Sequence, residues 1–145
     1  MTQTITVRDI AHRIWRLSDS MSEAQLVQRV RGWTREGLLL PVGEKNPGTG
    51  RHRRYPYTAV PEAMLLKVLS DAIGRMQALK ARAFGELFQA AKEELGKDKI
   101  EKLVILGLAP DGEAAEIKLV KRDELLEALA GSQCQAHLLI DLGKL

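Results

Sequence analysis

Two segments a short loop apart constrain this chain most: Arg31-Gly32-Trp33-Thr34-Arg35-Glu36-Gly37-Leu38-Leu39 and Gly50-Arg51-His52-Arg53-Arg54-Tyr55. The first reads as the end of a helix, with Gly37 placed as the left-handed residue that stops it. From Leu38 to Val42 the chain then reads as a short strand. The second segment reads as a basic strand over Arg53 to Thr58, returning from a tip rich in turn formers, Gly43 to Gly50. Pro56 argues that this returning strand lies on a sheet edge.

The residues before this pair supply two helix starts. Thr6 can cap a helix through Leu17, with Asp9 three residues on and Val7, Ile10, Ala11, Ile14 and Trp15 at helical spacing. Serine and aspartate at residues 18 to 20 should stop it. Ser20 with Glu23, or Ser22 with Gln25, has capping-box spacing for the next helix. On that helix Leu26, Val30 and Trp33 share one face, and Gln28, Arg31 and Arg35 share another, flanked by Gln25 and Arg29.

Charge separates this part from the rest. Residues 1–60 carry ten Lys/Arg, nine of them Arg, against five Asp/Glu, a net of +5. Residues 61–145 carry twelve against fourteen, a net of −2. A polyanion-facing N-terminal part follows, and arginine in place of lysine suits bidentate recognition of phosphates and base edges. Gln28, Arg31 and Arg35 are the candidate base and phosphate contacts of the helix. Arg51, His52, Arg53 and Arg54 are those of the strand, where alternation sends one pair toward DNA and the other into bracing the hairpin. A solvated basic surface is the plain alternative for either element alone. Their succession favours a winged helix-turn-helix that binds DNA.

Residues 61–95 form the longest periodic stretch, with Pro61 in the first turn. Leu65, Leu69, Ala72, Met76, Leu79 and Ala83 alternate steps of four and three, the spacing of a pairing seam. After Gly85 the stripe moves to Phe84, Phe88, Ala91 and Leu95, so the helix bends there or two surfaces are packed. Beyond Gly96, Leu103 to Leu108 and Ala115 to Val120 read as strands about a Pro110-Asp111-Gly112 turn. Asp123 can cap a short helix through Ala130, and Ala136 to Leu142 reads as a third strand. The expected architecture is α+β: a winged helix-turn-helix over residues 1–60, a long dimerisation helix over 61–96, and a ββαβ module over 97–145. That module is below the size at which a core sustains itself without help.

Ile5-Thr6-Val7-Arg8-Asp9-Ile10-Ala11, the Arg31 to Leu39 stretch ending at Pro41, and His52-Arg53-Arg54-Tyr55 followed by Ala59-Val60 resemble the DNA-binding domain of MerR-type transcription regulators, over about residues 4–75. The resemblance implies a homodimer contacting an inverted repeat through recognition helices and wings, with Arg31 as the recognition-helix arginine and Arg53 and Arg54 as wing arginines. Trp33 matches an aromatic position, with a core role or a phosphate contact. Three departures stand out: about nine extra residues between Ala11 and Arg31, Gly32 where an aromatic is frequent, and an unusual C-terminal module.

Other chemistries find little purchase. A single cysteine, Cys134, excludes an internal disulfide and suits a reducing compartment. Cys134 with His137 is a weak metal motif, better read as a small cysteine and a strand histidine. No phosphate loop, H-E-x-x-H motif or triad spacing occurs, so neither catalysis nor a cofactor is expected. No signal peptide or membrane span is expected, which gives a cytoplasmic location, nucleoid-associated when DNA is bound. The competing functional classes are an excisionase-like DNA-bending accessory protein and a protein-interaction module built on the C-terminal sheet.

Overall fold

The computed structural model describes residues 3–15, 20–43, 53–73, 78–110 and 114–145, of which 72, 73, 78–84, 114 and 115 are described by backbone alone. Mixed α and β structure is present: among the described residues there are five α-helices, two 3-10 turns and two small antiparallel sheets. The chain divides into two compact units, residues 1–66 and 67–145.

The first unit opens with strand β1 (Thr4–Thr6), which runs directly into helix α1 (Val7–Ile14). Thr6 ends the strand and caps the helix. Its hydroxyl accepts the Asp9 amide at 3.2 Å, and the Asp9 carboxylate accepts the Thr6 amide at 2.8 Å. Ile10, Ala11 and Ile14 are buried. Trp15 is the C-cap rather than a helical residue, and its indole N–H donates to the Met21 carbonyl at 3.1 Å.

Helix α2 (Glu23–Arg35) uses the second of the two possible caps. Ser22 Oγ accepts the Gln25 amide and Gln25 Oε1 accepts the Ser22 amide, at 3.2 and 2.8 Å. Its end is a Schellman motif: Gly37 has φ +78°, its N–H donates to Thr34 O, and Leu38 N–H reaches back to Trp33 O at 2.9 Å. Leu39 N–H also points to Trp33 O, at 3.3 Å.

That ending corrects the expected strand over Leu38 to Val42. The amides of Leu38 and Leu39 are committed to the helix end, and Pro41 has no N–H. Only Val42 pairs, as an isolated bridge in which its N–H donates to Arg54 O at 2.7 Å. Strand β2 (Arg54–Pro56) takes β1 as its ladder partner instead, with Ile5 opposite Tyr55 and Thr6 opposite Arg54. Pro56 lies at the end of this two-stranded ladder, opposite Thr4.

Helix α3 (Ala59–Ile73) begins two residues before Pro61 and contains the unit boundary. Helix α4 (Ala78–Leu95) follows in the second unit. In the expected pairing seam, Leu65 and Leu69 are buried. Ala72, Met76, Leu79 and Ala83 lie outside the residues whose side chains are described, as does Phe84. Gly85 lies within α4, and Phe88 and Ala91 are buried.

The sheet of the second unit has the order β4-β3-β5, built from β3 (Lys102–Leu108), β4 (Ala114–Lys121) and β5 (Ala136–Asp141). Both outer strands run antiparallel to β3, so β4 and β5 are parallel and need the crossover that α5 (Leu125–Gly131) supplies. Leu103 to Leu106 on β3 are buried, as a central strand requires. Asp123 does not cap α5. It sits inside a 3-10 turn, Arg122–Glu124, and Glu124 occupies the cap position without a side-chain bond. Gly131 is the last helical residue, and Ser132 is the C-cap.

One buried acid ties this unit together. Glu94, 3% exposed near the end of α4, accepts the Glu101 amide at 3.0 Å just before β3 and pairs with Lys97 Nζ at 2.8 Å. The Lys97 ammonium and the Glu101 amide hold its carboxyl below the usual glutamate range, against the opposing effect of burial.

Candidate nucleic-acid interface

Helix α2 has two sharply different sides. Leu26, Val30, Trp33 and Thr34 are buried, which places Trp33, at 7% exposure, in the core. At roughly 100° per residue, Gln25, Gln28, Arg31 and Arg35 project within an arc of about 120° centred opposite them. All four are exposed. The structure therefore brings Gln28, Arg31 and Arg35 together on one solvent-facing stripe, with Gln25 at its N-terminal end. Amide and guanidinium side chains on an exposed helix are a donor array that fits a major groove.

Strand β2 is locked to this helix from behind. Thr34 donates its hydroxyl to Val30 O at 3.0 Å, so the Tyr55 hydroxyl, 2.6 Å away, is the donor to Thr34 Oγ1. Both residues are fully buried. The basic strand thus leaves the core at a position fixed relative to α2.

Two arginines of the basic segment, Arg53 and Arg54, are among the described residues. Arg54 turns back: its Nε donates to Thr4 Oγ1 and its Nη2 to Thr4 O, both at 3.1 Å. Arg54 also lies close enough to Asp9 to help keep that carboxyl below its usual range. The main causes there are the hydrogen bonds from the Thr6 amide and hydroxyl. Arg54 therefore braces β1 against β2, while its exposed guanidinium stays near the surface. Arg53, just before β2, is half-buried. Arg51 and His52 lie outside the described residues.

Several supporting residues carried no sequence signal. Thr4 meets Arg54 across fifty residues, a contact no local spacing encodes. The Arg13 guanidinium stacks over the Tyr57 ring at 4.8 Å, and His12 Nδ1 on α1 bonds Glu23 Oε1 on α2 at 3.1 Å. These contacts fix α1 to its neighbours from the solvent side.

In the second unit, Cys134 and His137 both meet Ser132. His137 Nε2 lies 2.9 Å from Ser132 Oγ, which donates to Glu116 Oε2 at 2.7 Å and accepts the Cys134 amide at 3.2 Å. With the Ser132 proton committed to the carboxylate, His137 is the donor in its own bond, so it does not receive a proton from Ser132. No group of three potential metal ligands occurs among the described residues. Nor is any helix among them long and apolar enough to cross a membrane.

No protein-family model matches the chain, and no significant match to it is found among curated proteins.

Proposed function

We propose that this chain is a sequence-specific DNA-binding transcriptional regulator of MerR-like type, with residues 1–60 acting as a winged helix-turn-helix and a homodimer engaging an inverted repeat. One observation carries the reading. The exposed Gln28, Arg31 and Arg35 stripe lies on the same helix whose buried side anchors the basic strand through Thr34 and Tyr55. The net of +5 over residues 1–60 supports it from the long-range side.

In this reading α2 enters the major groove, where Gln28 and Arg31 contact base edges and Arg35 a phosphate. Arg53 and the preceding Arg51 and His52 ride on the backbone. Arg54 holds the wing in register. The test is a titration of the full chain against its selected duplex at several salt concentrations. Arg31→Ala and Arg53→Ala should each weaken binding, and Arg53→Ala should lower the log–log salt slope by about one. Unchanged affinity and slope in both variants would overturn the assignment.

A further inference from the structure

The two edges of the C-terminal sheet are unlike. Strand β4 has Glu116, Lys118 and Lys121 along it, and lysine on an edge is a common guard against further pairing. Strand β5, Ala136-His137-Leu138-Leu139-Ile140-Asp141, has no lysine and no proline. Among the described residues the register shifts between β3 and β4, at Gly107 and Leu108, while the β3–β5 register runs uninterrupted. Leu138 and Leu139 at its centre are 38% and 45% exposed. They lie on opposite sheet faces, Leu138 beside Leu106 and Leu139 beside Ile105.

The sequence of β5 is also complementary to itself. Antiparallel pairing with a second β5 about a two-fold axis at Leu139 sets Leu139 against its own copy. His137 then faces the partner's Asp141 on both sides of the axis, and Leu138 faces the partner's Ile140. Every pair keeps its sheet face, so two three-stranded sheets become one of six. Shifting the axis to Leu138 sets His137 against a leucine, and shifting it to Ile140 sets Leu139 against an aspartate. Only the Leu139 register sets apolar against apolar along the strand centre and keeps His137 and Asp141 off the leucines.

The polar groups are suitably placed. Asp141 Oδ1 already takes Arg122 and the Gly143 amide, which fixes the carboxylate, and Asp141 remains partly exposed. His137 is held by Ser132 through Nε2.

We infer that β5 is a homodimerisation edge, pairing antiparallel with β5 of a second copy about Leu139. The inference gives the proposed homodimer a surface and holds whether or not the N-terminal unit binds DNA. A single pair of six-residue strands is a small interface, so the dimer should dissociate in the range of roughly 1–100 µM.

The test is sedimentation of the full chain without DNA across that range, which keeps its outcome separate from that of the DNA-binding reading. Wild type should move from monomer to dimer with concentration. Leu139→Lys, which sets two ammonium groups against each other at an already exposed position, should weaken association at least about tenfold with an unchanged circular dichroism spectrum. In a Cys134→Ser background, Leu139→Cys should oxidise to a covalent dimer, because facing residues of an antiparallel pair lie about 4.5–5.5 Å apart, within disulfide reach. Leu138→Cys, which faces isoleucine, should not. Wild type that stays monomeric overturns the inference, as does a dimer that survives Leu139→Lys or a Leu138→Cys variant that links as readily as Leu139→Cys.

Discussion

The hydroxyls of Thr34 and Tyr55 lie 2.6 Å apart at two residues without solvent exposure, and their bond has a direction. Thr34 spends its proton on Val30 O, so Tyr55 donates. Removing the two ends should therefore have unequal effects. Tyr55→Phe leaves Thr34 bonded to Val30 and should cost about 0.5–1.5 kcal/mol, whereas Thr34→Val strands a buried phenol and should cost about 1–3 kcal/mol. The double variant should be little worse than Thr34→Val alone. Urea unfolding of the four proteins measures the cycle, and equal single effects would remove the assigned direction.

Two glycines on either side of the α2 terminus should respond oppositely to alanine. At Gly32 an added Cβ would meet nothing nearer than an Arg35 nitrogen at 4.0 Å, so Gly32→Ala should stabilise by about 0.5–1 kcal/mol through helix propensity. At Gly37 φ is +78°, and the same change should destabilise by about 1–2 kcal/mol although the space is open. Thermal unfolding of both variants checks the opposed signs.

Gly107 is confined for a different reason. A Cβ there would come within 2.8 Å of Cys134 Sγ, 3.2 Å of Cys134 Cβ and 3.2 Å of Glu116 Cβ. Gly107→Ala should therefore cost about 1–3 kcal/mol by overpacking. Adding Cys134→Ala removes the nearest atom and should return part of that loss, giving a favourable coupling in a double-mutant cycle. Additive effects would show that the strand accommodates the methyl group by another movement.

What could be read from the sequence was what short range decides. The Thr6–Asp9 box and the stop at Gly37 involve residues three or four apart, so their chemistry is visible in the letters. Ser22 with Gln25 was one of two equivalent readings, and the Trp15 indole reaching Met21 O accompanies the one adopted. The exposed Gln28, Arg31 and Arg35 stripe followed from helical periodicity. The pattern of Leu38 to Val42 predicts a strand, but it says nothing about where amides are used, and Leu38 and Leu39 direct theirs to Trp33 O. Strand β1 was missed because three residues show no alternation, and its partner lies fifty residues away. Periodicity marks Leu65 and Leu69 as buried, while the other seam side chains lie outside those described.

Acid should loosen the second unit through Glu94. Its folded pKa lies below the ordinary value of 4.5, so the unfolded chain binds the proton more readily. The contribution is fully present above the ordinary glutamate range and is lost as pH falls through the depressed folded value. Lys97 is shifted upward by the same pair, so its share persists through neutral pH and disappears only above the usual lysine range. Glu94→Gln should lower stability at pH 7 and flatten the loss below about pH 5. Thermal melts from pH 3 to 8 compare the two slopes, and parallel curves would show that another carboxylate governs the acid limb.

Arg31 and Arg54 are both exposed arginines of the basic unit, but their surroundings predict different phenotypes. Arg54 makes two hydrogen bonds to Thr4 and lies near the Asp9 carboxylate, so Arg54→Ala should lower stability as well as affinity. The stability loss should be about 0.5–2 kcal/mol, as for other exposed charge-assisted bonds, and Thr4→Ala should reproduce part of it without changing charge. Arg31, on the solvent side of α2, should leave the unfolding midpoint nearly unchanged when replaced by alanine. Its loss should instead weaken the preferred duplex by about 1–3 kcal/mol and a scrambled duplex far less, because a base-edge contact carries sequence information that a phosphate contact does not. Parallel melts and duplex titrations separate the two classes. If Arg31→Ala weakened both duplexes equally, Arg31 would be a phosphate contact, and base reading on α2 would pass to Gln28 and Gln25.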